Sequence, residues 1–391
     1  MRVAWIQRQF LDYRCAVFEE FDRLCGGNLT VFTLKGFTPD KVFARAERFL
    51  GDRLVGITKE WIWGSEEKNI TAMPNKYLRI CYPPGLVRMI LGTKSDVVFS
   101  DAFFQWSAAA LWLNFTRKIP FVMGYERTAE IEREAQWYRR FSRRQALRWI
   151  SCICANGSLT KEYLTAMGYP EERIFTGQMA ADNFELSRKC GEITEEETAA
   201  LRKKYSLEGK TVFLYVGQFI PRKGLIELVR AWKEFAPAAK TAALVLVGGG
   251  MTEPEIKAYI ERNRVPNVVL TGRVEYDRIV RYYAMADCYV MPTLSDNWSL
   301  VVPEAMACGL PVLCSKYNGC HPELIHESNG MIFDPLDLSG TVAALRAMWE
   351  KRARFPEMGD ASKRIVDDYS PLRAAETIYS ACRYALDHPK R

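Results

Sequence analysis

The sequence predicts an α/β protein of two doubly wound domains, each a parallel sheet covered on both faces by helices. Three observations predict it. The chain has 391 residues, and at ~150 residues per domain that suggests two to three domains, each long enough to bury a core. Short apolar runs alternate with longer mixed segments, the pattern of strands joined by helical crossovers. The alternation breaks once, at a charged stretch over 187–210 that divides the chain near its middle.

In chain order, the first half offers strands at 3–6, 29–33, 96–100, 120–123 and 151–155, where runs such as VAWI and DVVFS are short, apolar and β-branched. Helical stretches lie between them at 16–24, 103–114 and 129–149. In the charged break, Thr194 precedes Glu195, Glu196 and Glu197, an N-cap followed by acids in the first turn. It reads as a linker and lead-in helix. The second half then offers strands at 212–216, 243–247, 268–271, 288–291 and 311–314. Helices are expected at 225–235, 254–262, 276–285 and 304–308. After Ser370-Pro371 the chain is helical to about 388. The expected division is 1–186, 187–370 and a last helix, 371–391, that packs back on the first domain.

Composition narrows the function. Apolar residues are 48% and charged residues 26%, with 54 basic against 47 acidic side chains and a net charge of +7. That balance excludes wholesale disorder and suits an anionic ligand or an acidic membrane surface as well as nucleic acid. No stretch approaches the ~20 apolar residues of a membrane span, and MRVAWIQRQF lacks an apolar signal core, so a cytoplasmic location is expected. Eleven cysteines without CxxC spacing fit a reduced compartment. Three histidines, His321, His326 and His388, do not make a His-rich metal centre, and no metal is expected. The first loop, Gln7-Arg8-Gln9-Phe10, is not G-x-G-x-x-G, which argues against a nicotinamide cofactor.

Chemistry concentrates in four loops at the carboxyl ends of second-half strands, where ligands bind in such sheets. After Met291 a polar loop leads to a helix starting between Ser299 and Pro303. A proline is tolerated in a first turn, whose N–H groups have no helical partners. Asp296 and Glu304 stand with seven residues between them, so a carboxylate lies on each side of an anion held by the loop. Carboxylates accept hydrogen bonds from hydroxyls, so sugar and ribose are natural partners; a dipole-complementing Glu304 and a turn Asp296 are the plainer alternative. Gly217-Gln218-Phe219-Ile220-Pro221-Arg222-Lys223-Gly224 combines a close backbone approach with two cations suited to phosphate, or else is an exposed basic turn. Gly248-Gly249-Gly250 and Gly272-Arg273-Val274 follow strands in the same way.

These residues resemble the donor domain of family 4 glycosyltransferases, retaining enzymes of the GT-B fold. Their E-x7-E segment, like E-G-F-G-L-x-x-x-E-A-M-A-x-G-x-P-V, reads DNWSLVVPEAMACGLPV here. Their G-R-L-x-x-x-K-G loop reads GQFIPRKG, and their strand-G-x-G turn reads LVLVGGG. Order and spacing hold over 211–335. The first half is similar to the family's acceptor domain through FLDYRCAVF, ICANGSLTKEYLTAMG and IFTGQMAADN. The resemblance implies two Rossmann-like domains around a cleft. It implies that Glu304 binds the ribose hydroxyls, Asp296 the transferred sugar and Lys223 the diphosphate. The amides of Trp298, Ser299 and Leu300 would hold sugar and phosphate, the backbone at Arg273 and Val274 the base, and Gly217 and Gly248 the close approaches. Three positions depart from the pattern: Asp296 is one methylene short, Gln218 stands where an arginine is usual, with Arg222 as a substitute, and Ser299 replaces the second glycine. The implied reaction transfers a sugar from a nucleotide-sugar donor to an acceptor hydroxyl without a resident cofactor. A non-catalytic GT-B subunit that binds a nucleotide sugar or a partner is the alternative.

The acceptor side is less legible. Where the family has a histidine, this chain has Gly124-Tyr125-Glu126-Arg127, so Glu126 or Arg127 is the candidate, or else a helix-entry pair. Over 133–148 six arginines (133, 139, 140, 143, 144, 148) face only Glu134, interleaved with Trp137, Tyr138 and Phe141. Arg133, Arg140, Arg144 and Arg148 would share a helical face with Trp137. Basic residues with interfacial aromatics suit an anionic bilayer and a lipid-linked saccharide acceptor of surface polysaccharide assembly; a solvated helix is the alternative. No RNA-binding signature accompanies them, so no nucleic-acid partner is expected. Trp61-Ile62-Trp63 reads as core packing, with an interfacial or acceptor-lining element as the alternative.

Overall fold

The computed structural model describes residues 1–64, 79–133 and 135–390. It forms two compact units, one of Met1–Ala180 with Pro371–Arg391, the other of Ala181–Ser370.

The first unit runs β1 (Val3–Ile6), α1 (Asp12–Leu24), β2 (Leu29–Leu34), α2 (Asp40–Leu50), β3 (Leu54–Ile57), β4 (Trp61–Gly64), β5 (Arg79–Tyr82), α3 (Leu86–Gly92), β6 (Val97–Asp101), α4 (Ser107–Arg117), β7 (Phe121–Tyr125), α5 (Trp137–Ala146), β8 (Cys152–Ala155), α6 (Ser158–Ala166) and β9 (Ile174–Thr176). The second runs α7 (Asn183–Gly191), α8 (Glu195–Lys204), β10 (Thr211–Val216), α9 (Leu225–Phe235), β11 (Ala242–Val247), α10 (Glu253–Asn263), β12 (Val268–Gly272), α11 (Tyr276–Met285), β13 (Cys288–Met291), α12 (Val301–Ala307), β14 (Val312–Ser315), α13 (His321–Leu324), β15 (Gly330–Phe333), α14 (Leu338–Glu350) and α15 (Phe355–Asp367). The last helix, α16 (Pro371–Asp387), returns to the first unit and packs on α1. Its Ala374, Ala375, Ile378, Ala381, Cys382 and Ala385 join a core with Trp5, Phe18 and Phe21.

The first sheet has the order β3-β2-β1-β6-β7-β8-β9 and the second β12-β11-β10-β13-β14-β15, all pairs parallel. Central strands such as β1, β7, β11 and β13 are buried along their whole length, as expected where helices cover both faces. In both sheets the order reverses beside the first strand, between β1 and β6 and between β10 and β13. That is the crevice where doubly wound sheets take ligands.

Four features differ from expectation. The first unit ends at Ala180, and 187–210 is two packed helices: Asn183 donates to the carbonyls of Val366 and Tyr369 at 3.1 and 2.9 Å, which ties α7 to the second unit. Thr194 and Glu197 form a reciprocal capping box at the start of α8. The helix at 129–149 reduces to α5, because the residues before it serve another purpose: buried Glu132 accepts hydrogen bonds from Arg127, at 2.6 Å, and from Arg143. Arg133 and Arg148 therefore lie outside α5, and Glu134 lies outside the described residues. Trp61, Ile62 and Trp63 are exposed, since β4 and β5 form a two-stranded ribbon of their own.

Candidate active site

The site in the second unit is assembled from loops that follow β10, β11, β12 and β13. After β10 the chain turns at Gly217, whose amide donates to the Val247 carbonyl at 3.0 Å; Phe219 N donates to Gly249 O at 3.1 Å. Gly248 has φ +140°, and a Cβ there would lie 1.9 Å from the Gly217 carbonyl oxygen. Only glycine lets the β10 and β11 loops meet at this distance. Gly224, at φ +66°, closes the short turn Pro221–Lys223; a Cβ would lie 2.0 Å from Pro292 O. Leu294 N and Thr293 Oγ1 both donate to the Arg222 carbonyl, at 2.8 and 2.9 Å, which fixes this turn to the loop after β13.

The cations and Asp296 converge there. Lys223 is 9% exposed and its Nζ pairs with Asp296 Oδ2. Arg222 Nη1 lies 3.4 Å from the same oxygen and donates to Ser295 O at 3.1 Å. Asp296 is itself held on both sides by backbone, its amide donating to Tyr317 O at 3.2 Å and its carbonyl accepting from Gly319 N at 2.9 Å. Burial pushes its carboxyl pKa upward, but attraction and hydrogen bonding from Lys223 outweigh this and hold it below the usual range. Arg222 stands beside Lys223 at Asp296, whereas Gln218 is exposed and its backbone carbonyl accepts from Tyr215 OH at 3.0 Å.

Glu304 sits in the first turn of α12, 6% exposed. Its Oε2 accepts from Tyr283 OH at 2.9 Å and its Oε1 from Tyr276 OH at 3.3 Å. Burial pushes the carboxyl up to about 7, against the lowering effect of the two tyrosine hydroxyls. Both tyrosines lie on α11, seven residues apart and so on one face; that spacing was the available signal for a paired support of Glu304, and sequence reasoning missed it. The amides expected to face a ligand are partly engaged: Trp298 N donates to Asp296 Oδ1 and Ser299 N to Asn318 Oδ1, each at 3.3 Å. Leu300 is the N-cap of α12. The exposed Arg273 side chain crosses over Gly249, and Val274 is half-buried beside it. The structure thus brings Gly217, Arg222, Lys223, Gly248, Arg273, Asp296 and Glu304 to one edge of the second sheet.

In the first unit, Arg127 is committed to Glu132, which with Arg143 forms a buried clamp. Glu126 follows β7, and its carbonyl accepts from Thr160 Oγ1 at 3.2 Å. Sequence reasoning missed the nearby buried Arg14, which pairs with Asp101 at 3.1 Å at the carboxyl end of β6 and donates to Gln178 O at 3.4 Å. It lies within FLDYRCAVF, but nothing in that stretch shows its partners, which are far apart in sequence. Among the described residues no group of three or more His, Cys, Asp or Glu side chains is placed to hold a metal ion.

Comparison with known proteins gives two family matches, a "Glycosyl transferase 4-like domain" over residues 28–176 and "Glycosyl transferases group 1" over residues 197–363. The chain belongs to family 4 of the glycosyltransferases. Sulfoquinovosyl transferase SQD2 of Arabidopsis thaliana is 25% identical over 363 residues, 86% of this chain and 67% of that protein. A Corynebacterium glutamicum enzyme, GDP-mannose-dependent monoacylated alpha-(1-6)-phosphatidylinositol monomannoside mannosyltransferase, is 28% identical over 182 residues, 44% of this chain and 47% of its own. The chain thus spans between 47% and 67% of the length of these curated relatives. Among solved structures, Anabaena Alr3699/HepE in complex with UDP and glucose superposes with a TM-score of 0.71 at 14% identity, over 97% of this chain and 98% of that one. The fold of this family 4 member is GT-B, with two parallel-sheet α/β domains.

Proposed function

We propose that this family 4 member is a retaining glycosyltransferase that moves a sugar from a nucleotide-sugar donor to an acceptor hydroxyl. The observation that carries the reading is the convergence of Lys223, Arg222, Asp296 and Glu304 at the switch point of the second sheet. The donor's ribose hydroxyls donate to Glu304, which is oriented by Tyr283 and Tyr276. Donor cleavage develops negative charge on the departing diphosphate, and Lys223 with Arg222 faces that charge. Both cations pair with Asp296 in the free protein, so the diphosphate exchanges one anionic partner for another and Asp296 is released toward sugar hydroxyls. Gln218 adds no charge, which leaves Arg222 as the second phosphate cation. In this reading the leaving phosphate deprotonates the acceptor, and neither a protein nucleophile nor a resident metal takes part.

The acceptor we propose is a lipid-linked saccharide of surface-glycan assembly, met at an anionic membrane surface. The name of the Corynebacterium relative, which acts on a phosphatidylinositol mannoside, supports a lipid-linked class. The face of α5 supports membrane contact: Arg140 and Arg144 are exposed beside Trp137, which is 75% exposed, and Phe141. Arg148 and Trp149 follow in the next turn. On the first unit the acceptor-side candidates are Glu126 and Arg127, which follow β7.

The test follows the slow hydrolysis of nucleotide sugars by proton NMR, which needs no acceptor. A retaining enzyme releases from an α-linked donor a sugar whose first-formed anomer is α. Release of the β anomer would overturn retention, and donor binding without any turnover would favour the non-catalytic subunit.

A further inference from the structure

Of the eleven cysteines, nine are buried, and the two that reach solvent, Cys190 and Cys308, are neighbours. Cys190 lies in the last turn of α7 and Cys308 is the C-cap of α12, two helices that pack together. The Cys190 thiol donates to the Cys308 backbone carbonyl at 3.9 Å, which puts the two cysteines side by side. The Lys363 side chain lies over Gly309, the next residue, so closely that a Cβ there would meet its Cε at 2.8 Å. A thiol pair at solvent beside an ammonium group is the environment of reactive rather than structural cysteines. We propose that Cys190 and Cys308 are a reversible oxidation site, closing to a disulfide that ties α7 to α12.

The chemistry divides between the two thiols. Once ionised, Cys190 accepts a hydrogen bond from the Cys308 thiol, which lowers the Cys190 pKa, with a smaller contribution from the charge of Lys363, so Cys190 is the attacking thiolate. Cys308 is raised first by that same hydrogen bond, then by burial and by the charge of Cys190. With glutathione disulfide as oxidant, the Cys190 thiolate attacks one sulfur, breaking its S–S bond and releasing one glutathione. Capping Cys190 removes its negative charge and the hydrogen bond to it, so Cys308 ionises more readily. The Cys308 thiolate then attacks Cys190 Sγ and releases the second glutathione. The two protein thiols lose two protons and two electrons, and the oxidant becomes two thiols. The bond reaches α12 directly, because Cys308 N donates to the Glu304 carbonyl at 3.2 Å. A cross-link at this cap resists opening of the helix that carries Glu304.

The test treats the full chain with glutathione disulfide, then maps disulfides by mass spectrometry after alkylation. We expect a peptide linking Cys190 to Cys308, lost on reduction with dithiothreitol and not formed in Cys190→Ser or Cys308→Ser. In Cys308→Ser the glutathione adduct should remain on Cys190. Hydrogen exchange over 301–309 should slow in the oxidised wild type and return on reduction. A persistent glutathione adduct on wild-type Cys190, linkage of other cysteines instead, or no reaction would overturn the site. Linkage with unchanged exchange in α12 would overturn its coupling to the helix.

Discussion

Replacing Glu304 with Gln should make the free protein more stable at alkaline pH while weakening its hold on a nucleotide. In the folded chain the carboxyl titrates at about 7, because burial opposes its charge and two tyrosine hydroxyls only partly compensate. In the unfolded chain it returns to 4.5. Between these values the folded state holds a proton that the unfolded state has lost, so stability falls as pH rises through this window. Once pH has passed both, the accumulated cost is about 3 kcal/mol. Glutamine carries no such cost, and its amide can still accept from one tyrosine and donate to the other. Urea unfolding of wild type and Glu304→Gln at pH 5 and pH 8.5 isolates this group, since other titrations cancel in the difference. The unfolding free energies should nearly coincide at pH 5, and that of the variant should be higher at pH 8.5 by up to about 3 kcal/mol. A variant no more stable than wild type at pH 8.5 would refute the claim that Glu304 is held against its own charge. The same substitution should lower nucleotide affinity by about tenfold, because a ribose hydroxyl loses its ionised acceptor.

Further expectations concern other parts of the molecule. Lys223→Ala should cut turnover by ~100-fold or more, as for loss of a transition-state donor, and should lower the melting temperature, because it leaves the buried Asp296 carboxylate without its nearest cation; near-normal turnover would contradict its role opposite the leaving group. Gly248→Ala should destabilise the second unit by more than about 2 kcal/mol, because its Cβ cannot coexist with the Gly217 carbonyl, and an unchanged urea midpoint would count against the loop geometry. Changing Arg140, Arg144 and Arg148 to Glu should abolish co-sedimentation with anionic liposomes, an effect that salt should mimic; a wild type that stays in the supernatant would refute membrane contact.

The second unit was legible because its chemistry is carried by loops with short-range signatures. Gly217–Gly224, Gly248–Gly250 and the loop that carries Asp296 and leads to Glu304 each begin directly after a strand, so alternation placed them on one edge. Specific side-chain pairings were not legible. Nothing in the pattern shows that Glu132 is wanted by Arg127 and Arg143, yet that clamp stands where a continuous helix was expected. The boundary at Ala180 depends on Asn183 reaching carbonyls more than 180 residues away. Trp61, Ile62 and Trp63 misled because apolar character implies burial only where another layer exists to cover it, and a two-stranded ribbon supplies none. Cys190 and Cys308 were two among eleven until the packing of α7 on α12 brought them together.

The central claim is that the edge bearing Lys223, Asp296 and Glu304 binds a nucleotide-sugar donor. The most direct measurement is the melting temperature of the protein against a panel of nucleoside diphosphates and nucleotide sugars, each with and without EDTA. A ligand that binds only the folded state raises the midpoint, since at a hundredfold excess over its Kd it adds about 2.7 kcal/mol to the stability. The account predicts a rise with one base, undiminished by EDTA and lost in Glu304→Ala. A protein that no nucleotide stabilises, or one stabilised equally in Glu304→Ala, would contradict it.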